Sequence, residues 1–336
     1  MEFRCETETA EYLDPRTQFE RGRLSTEVRH DPLTGHTSRV LPPGSLQPPA
    51  RLDLEQLAEQ TRAGCPFCTG RVEEVTPRFP PELWPEGRIR RGEALLFPNL
   101  VPYAKWSSVS VYSPGRHFLP LAELSADLLG DNLATQVAFA RAVLDRDPES
   151  GWVSVNANHM PPSGSSIFHP HLQGTADPRP TTMQRLVAAI AGERYRSYVD
   201  AERRLDERYV GATGDVEWLA SFAPIGPAEL RAFLFGAASP AELDDRRVAD
   251  LARGLSLAVA VYAELGFQGF NLALYGAPPG TRGYPLNLRL VARSTIGPLQ
   301  RSDVMWSERL HWEAATDLAP EALAETARRR FARAAA

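Results

Sequence analysis

The sequence predicts an α+β protein built from two copies of one unit, a sheet with flanking helices. Three observations carry this. Short strand-like runs, each closed by a turn rich in proline, alternate with two long apolar-periodic segments. Their order in the first half returns in the second. The chain of 336 residues, 43% of them hydrophobic, is long enough to bury a core in one large or two medium domains.

Residues 1–60 hold Arg29-His30-Asp31-Pro32-Leu33-Thr34-Gly35 and the proline-rich run from Leu41 to Ala50, which is turn chemistry without an apolar period, so an irregular N-terminal arm is expected there. Ala94 to Phe97 and Ser108 to Tyr112 are expected strands. Leu121 to Leu144 is an expected helix, with Ser125 as its N-cap and Pro148 just beyond its end. Gly151 to Asn156 is a strand, the turn-rich Met160 to Ser166 a loop, and Ile167 to Gly174 the next strand. Residues 61–180 are therefore the first half.

In the second half, 181–336, Trp218 to Pro224 is matched with Ser108 to Pro114, and Asp244 to Leu265 is the second long helix. Phe270 to Tyr275 then answers the strand from Trp152, and Pro285 to Ala292 answers the histidine-bearing strand. The offset is 110 residues before the helix and 118 after it. By this alignment His169 stands opposite Asn287 and His171 opposite Arg289, so the second copy is degenerate and a single site is expected, in the first half.

Composition narrows the function. With 37 Lys+Arg against 42 Asp+Glu, the net charge of −5 argues against a general grip on nucleic acid or anionic lipid. The longest apolar stretches, such as Leu255 to Tyr262, are too short to span a membrane, and Met1 to Glu11 lacks the basic-then-apolar order of a signal peptide, making the cytoplasm the expected location. Lys105 is the sole lysine, which excludes multi-lysine chemistry. Of the cysteines Cys5, Cys65 and Cys68, the last two form a C-x-x-C, a spacing for metal or redox chemistry in a reducing compartment.

Alternate residues of a strand share a face, which puts His169, His171 and Gln173 together, and Pro170 marks an edge or a strand start. The alternative is a pair of surface histidines. A histidine that attacks phosphorus needs a neutral nitrogen facing it and donors for the non-bridging oxygens. Ser165, Ser166, the amides around Gly164 and the Gln173 side chain could supply them; otherwise Pro161 to Ser166 is a plain surface loop. Cys65 and Cys68 would give half of a tetrahedral metal site, with His117 and His169 the candidates for the other half. Two thiolates and two imidazoles would close it as a structural site; a redox pair or two buried thiols are the alternatives.

The C-x-x-C, Phe97-Pro98-Asn99, Ser113-Pro114-Gly115-Arg116-His117, Asn158, the Ser-Ser loop and His169-Pro170-His171-Leu172-Gln173 stand in an order that resembles the galactose-1-phosphate uridylyltransferases, a branch of the histidine-triad superfamily. Arg29-x-Asp31-Pro32-Leu33-Thr34 is similar to that family's opening motif. The resemblance covers roughly residues 27–312 and is strongest up to Gly174. It implies a duplicated histidine-triad-like unit with an antiparallel, half-barrel-like sheet, usually a homodimer. It also implies that His171 is the nucleophile of a nucleotidyl-histidine intermediate, that Gln173 stabilises the phosphoryl group, and that Cys65, Cys68, His117 and His169 hold a structural Zn2+. Asn99 would lie near the nucleoside, Asn158, Ser165 and Ser166 near the phosphates, and Arg29 could reach phosphate, in its own or a partner subunit's site.

Three departures shape the expected function. Leu172 replaces the family's glycine beside the nucleophile, which would reshape the nucleotide pocket. The second-half metal-binding and hexose-phosphate positions are replaced by Asn287-Leu288-Arg289 and by Ser302 to Ser307. Asp303 facing the pocket would repel a phosphate, whereas Arg289 or Arg301 could restore positive charge. The expected function is therefore a nucleotidyltransferase, similar to UDP-glucose–hexose-1-phosphate uridylyltransferase. Its donor would be a nucleotide sugar or nucleoside triphosphate and its acceptor a phosphorylated small molecule, with no nucleic acid or membrane partner. The alternatives are a nucleotide-sugar or dinucleotide phosphorylase using the same intermediate, and a non-catalytic zinc-stabilised nucleotide-binding protein.

Overall fold

A computed structural model describes residues 1–46, 50, 52–190, 192–294 and 302–335. The chain opens with strands β1 (Cys5–Asp14), β2 (Glu20–His30) and β3 (Thr37–Val40), followed by helices α1 (Leu54–Arg62) and α2 (Val72–Val75). The first half continues with β4 (Ile89–Arg91), β5 (Ala94–Pro98), β6 (Trp106–Val111), helix α3 (Ala126–Arg146), β7 (Trp152–His159) and β8 (His171–Asp177). After α4 (Thr182–Ala188) and α5 (Gly192–Leu205) come β9 (Tyr209–Thr213), β10 (Val216–Ala220), β11 (Leu230–Leu234), α6 (Asp245–Glu264), β12 (Gly269–Tyr275) and β13 (Leu286–Arg293). Helix α7 (Trp306–His311), β14 (Ala314–Thr316) and α8 (Pro320–Ala335) close the chain.

Ten strands form one sheet in the order β4-β5-β6-β8-β7-β12-β13-β11-β10-β9, every neighbouring pair antiparallel. Read outward from the central β7–β12 pair, the two halves repeat one strand order. Each half also carries its long helix: Ser125 caps α3 by accepting from the Leu128 amide, and Asp244 caps α6 by accepting from the Arg247 amide. The duplication and the α+β class are as expected, with one correction. Trp218 to Pro224 belongs with β10, the counterpart of β5, and it is β11 that takes the place of β6, lying beside β13 as β6 lies beside β8. Both runs are short, apolar and followed by proline, so spacing alone did not separate them.

The two faces of the sheet differ in chemistry. Leu172, Val155, Ala157, Leu272, Leu288 and Leu290 point to the helix layer and form one core with Leu129, Leu133, Leu255 and Ala258 of α3 and α6. Leu172 is fully buried there, so it faces away from His171 and does not reshape a nucleotide pocket. Gly174 lies where β8 presses closest on α3: a Cβ would overlap Gln136 Oε1 and Ser108 Oγ, both buried and hydrogen-bonded. Gly174→Ala is expected to cost about 1 to 3 kcal/mol in a denaturant titration, by displacing the Gln136 amide from Ser110.

The first sixty residues are not an irregular arm. β1 and β2 pair over ten residues as a ribbon, in a second sheet ordered β1-β2-β3-β14. Nine of the ten β1 residues are exposed, so no buried face imposed an apolar alternation on the sequence. The C-terminal β14 pairs parallel with β3, joining the two ends of the chain. Among the described residues no helix is long and apolar enough to cross a membrane.

Candidate active site and metal centre

The face opposite the helices carries the polar residues. His171 opens β8, opposite Val111 of β6, and Gln173 pairs with Val109 on one side and Asn156 on the other. Pro170 therefore marks a strand start in the middle of the sheet and not an edge. Residues opposed across antiparallel strands share a face, so His171, Gln173, Asn156 and Asn158 do.

Cys65 and Cys68 follow α1 in a tight turn that packs on this face through Phe67, Phe97, Val109 and Val111. Thr69 donates its amide to Pro114 O at 3.0 Å, tying the turn to the segment that carries His117. The donor atoms of Cys65, Cys68, His117 and His169 all lie within 4.8 Å of one another. His117 Nδ1 is 3.3 Å from Cys68 Sγ, and His169 Nδ1 is 3.6 Å from both sulfurs. The far nitrogens fix the tautomers. His169 Nε2 meets Ser113 O at 2.9 Å and His117 Nε2 meets Ala58 O at 3.0 Å. Carbonyls only accept, so both Nε2 atoms carry the proton and both Nδ1 lone pairs face the sulfurs. Burial holds both imidazoles below their ordinary pKa, His169 down to about 4, and pushes the Cys68 thiol up to about 11. Two neutral imidazoles converging with two thiols are a donor set that fits a metal ion.

His171 is buried, 8% exposed, its ring set edge-on against Phe67 at 5.4 Å. Its Nδ1 lies 2.9 Å from His169 O, so Nδ1 donates and Nε2 keeps its lone pair. Burial lowers the His171 pKa, leaving the ring neutral. His169 thus faces the candidate metal ligands with its ring and orients His171 with its carbonyl.

Other expected residues vary in position. Asn158 takes the level of His171 on β7, the sum of paired residue numbers being constant along the β7–β8 ladder. Ser165 donates its hydroxyl to Ile167 O at 2.6 Å, while Ser166 is exposed. Gly164 needs glycine at φ +90°, and Met160, before the loop, holds a strained φ of +71°. Asn99 follows β5 on the site face, roughly 13 Å along the strand direction from the His171 level, and accepts the Val101 amide. Arg29 is not part of this group: it is 7% exposed and paired with Glu27 and Glu321, with Phe222 beneath its guanidinium.

In the second half Arg289 does not supply free positive charge. It is buried against Glu229 at 2.7 Å, and Arg231, directly opposite it across the ladder, is buried against Asp31 at 3.0 Å. Asp303 does not stand bare either: it accepts the Ser294 amide and pairs with Arg293. Arg301 lies outside the described residues. Three contributors escaped the sequence reading: Asn156, whose amide donates to Ser154 Oγ and Gln173 O, and the second-half residues Asn271 and Arg293. Asn271 alone had a sequence signal, as the isolated asparagine of the otherwise apolar β12; Asn156 and Arg293 stand on strands that carry other polar residues.

No protein-family model matches the chain. An uncharacterized protein of Archaeoglobus fulgidus is 31% identical over 349 residues, covering 98% of both chains. An ADP-glucose phosphorylase from Arabidopsis thaliana, solved with bound ADP-glucose, is similar in structure with a TM-score of 0.67 at 19% identity, over 90% of this chain and 98% of that one. A uridylyltransferase structure gives 0.64 at 20% identity over 91% and 98%. The chain belongs to one family with the Archaeoglobus fulgidus protein, and its fold is that of the ADP-glucose phosphorylase and uridylyltransferase structures.

Proposed function

We propose that this protein is a nucleotidyltransferase acting through a covalent nucleotidyl-histidine at His171. The observation that carries this is the buried His171 ring, held by its Nδ1 at the His169 carbonyl with Nε2 left as a nucleophile. The Nε2 lone pair attacks the α-phosphorus of a nucleotide sugar or nucleoside triphosphate. The bond from that phosphorus to the bridging oxygen breaks, and the sugar phosphate or pyrophosphate departs with the electron pair. The Nδ1–H to carbonyl bond stabilises the positive ring formed on phosphorylation. Gln173, Asn158 and the Ser165-Ser166 loop supply hydrogen bonds to the phosphoryl oxygens. An acceptor phosphate oxygen then displaces Nε2 and restores the neutral imidazole. Cys65, Cys68, His117 and His169 would hold a structural Zn2+, whose role there would be to fix the His169 ring and, through the His169 carbonyl, the orientation of His171.

A second reading, a phosphorylase in which inorganic phosphate is the acceptor, is favoured by the commitment of Arg289 to Glu229 and of Asp303 to Arg293. Both arginines, Arg289 and Arg293, are thus neutralised by carboxylates, and neither keeps a free charge to grip a hexose phosphate. The test is intact-protein mass spectrometry at neutral pH after mixing with UDP-, ADP-, GDP- and CDP-sugars and nucleoside triphosphates. A nucleoside-monophosphate mass gain is expected from one donor series. Chasing it with inorganic phosphate or with hexose 1-phosphates then separates the two readings. Absence of an adduct across the whole panel would sink both.

A further inference from the structure

Asn271 of β12 stands directly opposite Asn158 of β7, across the seam between the halves. Its Nδ2 donates to Asn158 Oδ1 at 2.6 Å and to Ser163 O, in the loop before Ser165, at 2.8 Å. Its Oδ1 accepts from Arg293 Nε at 2.6 Å. Arg293 is itself 7% exposed and held by Glu308 at 2.6 Å and Asp303 at 3.4 Å.

An amide side chain can present either end, but an arginine can only donate. Arg293 therefore dictates the rest of the chain of bonds. The Asn271 oxygen must turn toward Arg293, so its NH2 faces Asn158. The Asn158 oxygen must receive that NH2, so the Asn158 NH2 is turned outward on the face that holds His171. A phosphoryl group has only acceptors to offer, and with the opposite polarity Asn158 would present a lone pair to them.

We infer that Arg293 and Asn271 are positioning residues that set Asn158 as a hydrogen-bond donor and fix the 161–166 loop, a role that rests on the nucleotidyl-transfer reading above. The second half, which lacks the histidines, thus orients the phosphate subsite of the first.

The test compares Asn271→Ser, Asn271→Ala and Asn271→Asp with wild type. For each, the single-turnover rate of nucleotidyl-His171 formation is measured with the donor that labels wild type, together with its concentration dependence and the melting temperature. A serine hydroxyl still donates toward Asn158, an alanine cannot, and an aspartate accepts from Arg293 but forces the Asn158 amide to turn. The expected order is Ser near wild type, then Ala, with Asp slowest by about 10- to 100-fold at saturating donor. Comparison of Ser with Ala keeps the test decisive if the Asp variant does not fold. Equal rates in all folded variants, or equal losses in Ser and Ala, would overturn the inference while leaving the nucleotidyl reading intact. A wild type that forms no adduct with any donor would end both.

Discussion

Turnover by His171→Ala is expected to fall by about 10,000-fold or more, because in the proposed mechanism the residue is the sole carrier of the transferred group and no water can replace a covalent intermediate at comparable rate. The protein should still fold. Removing the imidazole leaves the His169 carbonyl without its donor and opens a small space beside Phe67, a loss of about 1 to 3 kcal/mol. A chemical-quench assay of adduct formation, run beside a thermal melt, separates these effects. Gln173→Ala, which would remove only the proposed contact to the phosphoryl oxygens, should slow the same step by a smaller factor, about 10- to 100-fold. A labelled His171→Ala protein would place the nucleophile elsewhere.

Cys68→Ala is the second large effect. Wild-type protein purified without chelator is expected to carry one zinc ion per chain by elemental analysis, and the variant none. Structural zinc sites in small peptides contribute about 10 to 16 kcal/mol, so even partial coupling to folding is large beside a domain's roughly 5 to 15 kcal/mol. The melting temperature should drop by about 10 °C or more. Adduct formation should fall too, since Cys68 lies against the His169 ring and the His169 carbonyl holds His171. A metal-free wild type with the same melting curve as Cys68→Ala would return the pair to redox or packing roles.

Much of the fold between Ala94 and Asp177, and between Asp244 and Arg293, was legible because local chemistry marks it. Ser125 and Asp244 announce their helices, and apolar alternation requires a buried face, which these strands have. The β1 strand of the ribbon was illegible for the same reason inverted: nine of its ten residues, on both faces, meet water. Within the site, Cys65, Cys68, His169, His171 and Gln173 were readable because their spacing is short and the backbone carries it directly into geometry. Asn271 and Arg293 act on Asn158 from more than a hundred positions away, so no local pattern reveals them. Arg29 shows the converse. Its motif suggested phosphate, but its partner Glu321 lies 292 positions along the chain, and only the folded molecule brings that carboxylate to it.

The seam between β7 and β12 has a further consequence, for solubility. Two separate five-stranded units would each expose a long inner strand with unpaired amides, a template for aggregation. Pairing them along Phe270 to Tyr275 removes both of those edges at once. What remains open is small: β4 is three residues long with Arg90 and Arg91 exposed, and β9 lies beside the C-terminal helix. The long edge at β1 carries Glu6, Glu8 and Glu11 facing water, charges that would be brought together if two such ribbons joined edge to edge. Fusion of the halves is thus also a means of keeping strand edges out of reach of other chains.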